Sequence, residues 1–317
     1  MHFAFVNRIA RHAIVFLTIA GTLAAGLAAP RSEDAQCTLS DAWPTGPGTL
    51  NQPQPVHADL RQILSQFDTK RINATIAKLV SFGTRHTLSS QTDPVRGIGA
   101  SRDWLAAEMR TLAKGARRGT NVTITTPSFI QPAANRIPFP VNITNIIATI
   151  TGSDEPERVY IITGHYDSRV TDVNNFTDDA PGADDDASGV AIVLELVRIL
   201  SQRAPPRATV MLGAVAGEEQ GLFGSTFFAQ QMAAGGVDVQ GMFTNDIVGS
   251  PKGDNGFVDP NSIRLFSQGI PTESASKTST RESIGGENDS LSRNLARFVT
   301  EVASNSDTGM SGELAGC

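Results

Sequence analysis

Three short stretches concentrate side chains able to bind a cation or move a proton: "HYDS" at 165–168, "GADDDASG" at 182–189 and "GEEQG" at 217–221. A further acid, Asp246, follows "GMFTN". Asp184, Asp185 and Asp186 stand side by side, so their carboxylates repel one another and need solvent, partners or a cation. Each stretch has a plain structural explanation when taken singly. Acids before an apolar run stabilise a helix N-terminus, and "NDIVG" reads as a turn. Together they offer one imidazole and several carboxylates, which are ligand types for a hard or borderline divalent metal.

The segments before these stretches read as elements that aim them. "RVYIITG", "ATVMLGAVAG" and "VQGMFTNDIVG" are strand-like, and "SIRLFSQG" is a fourth candidate. The second is apolar throughout, as in a sheet covered on both faces. "SGVAIVLELVRILSQ" is a helix that is apolar almost all round, with Glu195 and Arg198 three apart and expected to pair on its one wet stripe. "LFGSTFFAQQMAA" and "SLSRNLARFVTEVAS" complete the alternation. Upstream, "HADLRQILSQFD", "TKRINATIAKLVSF" and "GASRDWLAAEMRTLAK" carry helical spacing, whereas "NVTITT" and "ITNIIATITG" are β-rich. This order predicts an α/β fold with a mostly parallel, mixed central sheet covered by helices on both faces. Sites in such sheets form outside the carboxyl ends of the strands, where "HYDS", "GEEQG" and Asp246 all fall.

One device uses all of these groups, a zinc centre. Zinc takes imidazole nitrogen and carboxylate oxygen at about 2.0–2.2 Å. In H-x-D at a strand end the two side chains point the same way, so Asp167 can accept the second ring N–H of His165 and fix its tautomer. One carboxylate can bridge two ions about 3.5–4 Å apart, a spacing that clamps the attacking and leaving oxygens of a hydrolysis. Of two adjacent glutamates, one can bind metal while the other takes a proton from water.

"TGHYDS", "PGADDDASGVA" and "AGEEQGLFGS" resemble, in order and spacing, the co-catalytic di-zinc exopeptidases that include the secreted bacterial leucine aminopeptidases. Glutamate carboxypeptidase II, glutaminyl cyclase and the transferrin-receptor ectodomain are relatives of that family. "SFGTRHTLS" and "GASRDWLAAEM" resemble its N-terminal helices, and the whole is similar to a fungal secreted member. The likeness runs from Ala58 to Ser304. It implies that His165 binds the first zinc with Asp167 behind it. Asp185 then bridges both ions, Glu218 is the general base, Glu219 binds the second ion and Asp246 completes the first. Asp184 and Asp186 keep supporting roles at the helix start and in hydrogen bonds. The family also uses a late histidine on the second ion. The five histidines here are His2, His12, His57, His86 and His165, so the second site is expected to be defective. "SGELAGC" departs from the family pattern, so a C-terminally shortened domain is expected. The implied activity is that of a zinc aminopeptidase. An inactive, non-catalytic homologue is the alternative, and a single-zinc enzyme like glutaminyl cyclase a weaker one.

The remaining features set the context. Arg8 and Arg11 precede an uncharged run that ends in small residues near Ala25 to Ala29, the pattern of a secretory signal peptide over 1–29. A Pro- and Gly-rich linker or pro-segment follows over 30–56, then the peptidase-like domain over 57–305 and a divergent tail over 306–317. N-x-[ST] sequons at Asn73, Asn121, Asn142, Asn175 and Asn288 fit a glycosylated secreted product. Cys37 and Cys317, the two cysteines, leave their pairing open. A net charge of −6, from 26 basic and 32 acidic residues, argues against a nucleic-acid partner. Peptide or protein substrates, no stable membrane span and a monomer are expected.

Overall fold

The computed structural model describes residues 57–270, 274–284, 286, 290–305 and 311–316. The expected signal peptide, the linker, both cysteines and the Asn288 sequon lie outside them. Helices α1 (Ala58–Leu64), α2 (Thr69–Val80) and α3 (Ile98–Lys114) come first. Strands β1 (Val122–Thr125), β2 (Ser128–Gln131), β3 (Val141–Thr144), β4 (Ile146–Ile150) and β5 (Glu155–His165) follow. Then come α4 (Ala187–Ser201), β6 (Ala208–Val215), α5 (Phe223–Ala234) and β7 (Asp238–Thr244). The chain continues through β8 (Ser262–Ser267), α6 (Ala275–Ser283), α7 (Leu291–Asn305) and β9 (Ser311–Gly316). No described helix is long and apolar enough to cross a membrane.

The main sheet has five strands in the order β1-β4-β6-β5-β7. It is mixed: β1 and β6 run antiparallel to β4, while β5 runs parallel to both β6 and β7. Side chains alternate across it with the two-residue period of a strand. Ile146, Ala148 and Ile150 face the larger core with Leu212 and Ala214 of β6, beneath α3 and α4. Ile147, Val159 and Ile161 point the other way and meet Phe228 of α5. The β5–α4–β6 crossover joins parallel neighbours, which is why α4 is the most buried helix. Val190, Val193, Val197 and Ile199 are fully buried on it. Each such burial contributes roughly 1.5–3 kcal/mol against the exposed state.

Two details differ from expectation. "ITNIIATITG" is not one strand. It divides at Asn145, whose buried amide donates to Gly224 O at 2.8 Å and whose Oδ1 accepts from Ala216 N at 3.2 Å. Serving the α5 N-terminal turn in this way diverts the chain from the β2–β3 pair into the main sheet. Nor does Glu195 sit on a wet stripe, being only 2 % exposed. Arg198 binds it through Nε and Nη2, at 2.9 and 2.6 Å, as expected, but Arg71 and the Asp68 N–H reach it from α2 at 3.0 Å each. The pair therefore fastens α2 to α4. "SIRLFSQG" forms β8, which pairs in parallel with β9 apart from the main sheet.

Candidate metal centre

His165 is the last residue of β5, and its ring is 3 % exposed. Its Nε2 lies 3.0 Å from Asp185 Oδ1 and 3.9 Å from Asp246 Oδ1. One atom from each of these three residues falls within 4.8 Å of the others. Both carboxylate oxygens are buried and neither has an aligned hydrogen-bond donor among the described residues. Buried carboxylate oxygens left this way are costly without a cation. A borderline nitrogen with two hard oxygens suits zinc, so the residues present fit one ion. In the metal-free chain burial pushes His165 toward its neutral form. The nearby Asp167 and Asp185 carboxylates outweigh that and hold its pKa well above the ordinary value.

The loops are set by a few backbone contacts. Asp186, fully buried, caps α4 by accepting from Gly189 N at 2.9 Å, and its other oxygen accepts the His165 N–H at 2.9 Å. Gly189 has no side chain because a Cβ there would stand 2.5 Å from Asn245 O and 2.6 Å from the Asp186 carboxylate. Asp184 accepts from Gly249 N at 2.8 Å, tying the loop after Asp246 to the loop before α4. The Asp185–Asp186 peptide bond is cis.

Asp167 lies behind His165, fully buried. The nearest acceptor to His165 Nδ1 is the Asp167 backbone carbonyl at 3.2 Å, with the carboxylate Oδ1 at 3.5 Å. That carboxylate also accepts from Thr87 Oγ1 at 3.0 Å and from the N–H groups of Glu218 and Glu219 at 3.3 and 3.2 Å. Asp167 thus fixes the "GEEQG" turn against the end of β5. Burial raises its pKa, but His165, Thr87 and the Glu219 N–H outweigh this and hold it below the ordinary value.

Glu218 is half-buried and its pKa is pushed up to about 7. Burial is the main cause, opposed by His165 and reinforced by Asp167, Glu219 and Asp246. Glu219 is buried and does not join the His165–Asp185–Asp246 group. Its Oε2 accepts from Arg169 Nε at 2.5 Å, and its backbone carbonyl accepts from Arg136 at 3.0 Å. Burial, then Asp167 and Asp185, raise its pKa against the pull of Arg169. Arg169 was not singled out from the sequence, although it directly follows "HYDS" and brings a cation into an acidic cluster.

His86 is remote from these ligands in its contacts. Its Nδ1 accepts from Leu88 N at 3.1 Å, so Nε2 carries the proton and donates to Val173 O at 3.1 Å. Gln220 also abuts Nε2, and its amide is best oriented with Oε1 toward that N–H. Oε1 otherwise stays buried without a partner. Both ring nitrogens are thereby engaged, and burial lowers the His86 pKa. His57 is exposed at the start of α1. A separate groove lined by Gln62, Arg117, Arg203 and Pro205 contains none of the site residues.

Residues 145–308 match peptidase family M28. A probable zinc metalloprotease of Pyrenophora tritici-repentis is 53 % identical over 273 residues, which cover 85 % of this chain and 56 % of that protein. The chain therefore spans little more than half the length of the curated relatives it matches. The LapA aminopeptidase of Legionella pneumophila superposes with a TM-score of 0.60 at 17 % identity, over 85 % of this chain and 61 % of that one. A glutaminyl cyclase from an Acidobacteriales bacterium does so with a TM-score of 0.55 at 13 % identity, over 85 % of this chain and 76 % of that one. Both show the same α/β fold with its mixed sheet and flanking helices. With its sequence match, its fold and its His165–Asp185–Asp246 group, the chain belongs to peptidase family M28.

Proposed function

We propose that this chain is the zinc-binding part of a secreted exopeptidase that removes residues from the N-terminus of peptides. The observation that carries the reading is the group of His165, Asp185 and Asp246 at the carboxyl edge of the parallel strands, with a buried ring and two buried carboxylate oxygens lacking aligned donors. Those three residues would hold the first zinc. When bound, zinc supplies Lewis acidity toward the scissile carbonyl and toward water. Glu218 is the general base: it takes the proton of the attacking water and passes it to the leaving amine. Asp167 keeps His165 oriented through Nδ1 and holds the Glu218 turn in place. Asp185 and Glu219 would offer carboxylate oxygens to a second ion. Arg169 competes for Glu219, so the second ion binds more weakly. The signal peptide over 1–29 and the sequons belong to the same reading, a secreted, glycosylated, monomeric product.

The Arg169–Glu219 pair also supports a second reading, a homologue that folds around one ion and does not turn over peptides. Glu218→Gln separates the two. The exopeptidase reading expects hydrolysis of aminoacyl substrates by the wild-type protein and its loss in Glu218→Gln, with zinc retained. Undiminished hydrolysis in the variant contradicts Glu218 as base. Zinc binding with no wild-type turnover favours the non-catalytic reading.

A further inference from the structure

The segment Gly83–Thr87 lies between the two ends of the loop that joins His165 to Asp185. Thr84 bridges Ala180 in parallel, and Ala180 N donates to Gly83 O at 2.9 Å. On the other side Ser168 N donates to Arg85 O at 3.3 Å, and Arg85 N donates to Ser168 Oγ at 3.1 Å. The Ser168 hydroxyl in turn donates to Ala180 O at 2.7 Å. Arg85 occupies the centre of this arrangement and is fully buried.

A buried arginine ordinarily meets a carboxylate, but this one does not. Its guanidinium makes four hydrogen bonds among the described residues, all to backbone carbonyls. Nε donates to Tyr166 O at 2.8 Å, Nη1 to Leu79 O at 3.1 Å and Pro181 O at 2.7 Å, and Nη2 to Gly182 O at 2.8 Å. Tyr166 stands between His165 and Asp167. Pro181 and Gly182 open the loop that ends in Asp185, and Leu79 belongs to the last turn of α2. One rigid fork therefore joins three segments distant in sequence. The approach is close enough that a Cβ on Gly182, whose φ is +45°, would stand 2.8 Å from Nη2 and 2.6 Å from Ser168 Cβ. Asp167, Asp186 and Asp185 act on the guanidinium by charge and partly offset the cost of burying it.

We propose that Arg85 is a positioning residue that sets the separation of His165 and Asp185, and with it the zinc affinity of the centre. The fork geometry is the essential property. A lysine ammonium keeps the charge, but as a point donor it cannot span carbonyls on three segments. Partners that orient metal ligands typically control metal affinity by about 10–100-fold.

The proposal rests on the reading that His165, Asp185 and Asp246 hold zinc. The test measures zinc affinity of the metal-free full chain by competition with a chromophoric chelator, together with its melting temperature. The wild type is compared with Arg85→Lys and with Arg198→Lys, a change in the α2–α4 network away from the centre. Arg85→Lys is expected to weaken zinc binding by about 10–100-fold. Arg198→Lys is expected to lower the melting temperature and leave zinc affinity within about twofold, far below the 10–100-fold effect of a ligand-orienting partner. Wild-type zinc affinity in Arg85→Lys overturns the proposal. So does a loss in Arg198→Lys as large as that in Arg85→Lys, because the effect would then follow stability alone. If Arg85→Lys does not fold, Ser168→Ala removes the hydroxyl that joins Arg85 N to Ala180 O. It is expected to weaken zinc by about 10-fold, and unchanged affinity there overturns the proposal. A wild-type chain that binds no zinc overturns the metal-centre reading instead.

Discussion

Asp186 joins the end of β5 to the start of α4: one oxygen accepts the His165 N–H at 2.9 Å and the other the Gly189 N–H at 2.9 Å. The residue beside it, Asp185, instead places its Oδ1 3.0 Å from His165 Nε2. The three adjacent acids therefore divide their work, because only Asp186 sits where it can cap the helix and hold the strand end together. Asp186→Ala leaves two buried N–H groups unpaired. It is expected to cost about 2–4 kcal/mol, combining a lost cap and an unsatisfied donor. Urea unfolding of the metal-free chain checks this, and a cost below about 0.5 kcal/mol, the level of an ordinary surface substitution, would contradict it.

Glu195 gives the stability a defined response to acid. Burial would raise its pKa, but the hydrogen bonds from Arg198, the Asp68 N–H and Arg71 outweigh burial and lower it. A folded pKa below the unfolded value of about 4.3 means the stabilisation is fully present above that pH and is lost as pH falls through the folded pKa. Glu195→Gln is expected to lower stability at neutral pH by about 2–3 kcal/mol, as for loss of hydrogen bonds to a charged group. Below the folded pKa the wild-type and variant curves should converge. A gap that stays constant down to about pH 3, well under the unfolded pKa, would contradict the assignment.

Arg169 holds Glu219 by a 2.5 Å contact from the partly exposed side of the site. Arg169→Met removes that cation and leaves Glu219 buried beside Asp167 and Asp185. The second equivalent of zinc is expected to bind more tightly to the variant than to the wild type in calorimetric titration. Equal or weaker second-equivalent binding would show that Arg169 does not compete there.

The strongest elements were readable because their patterns allow one solution. The apolar run of β6 and the all-round apolar α4 require a covered sheet, and the chemistry sits where those elements end. His165, Asp185 and Asp246 meet at that edge because the parallel pairing of β5 with β6 and β7 brings their loops to one side. What the pattern did not reveal depends on long-range partners. Asn145 breaks an apparently continuous strand through bonds to Gly224 and Ala216. Glu195 reads as a local pair with Arg198 until α2 is placed against it. Strands β2 and β9 and helix α6 carry little apolar periodicity of their own and were not anticipated. Arg85 and Arg169 look like ordinary surface arginines in sequence. Only the fold shows one enclosed by carbonyls and the other against Glu219.

The central claim is that His165, Asp185 and Asp246 form a zinc site, and differential zinc stabilisation tests it most directly. A ligand at 100 times its Kd adds about 2.7 kcal/mol to stability. The metal-free wild-type chain is expected to gain stability of that order with saturating zinc, and to lose it on chelation. His165→Ala and Asp246→Ala are each expected to abolish most of the gain. A zinc-induced shift of equal size in both variants, or none in the wild type, would contradict the account.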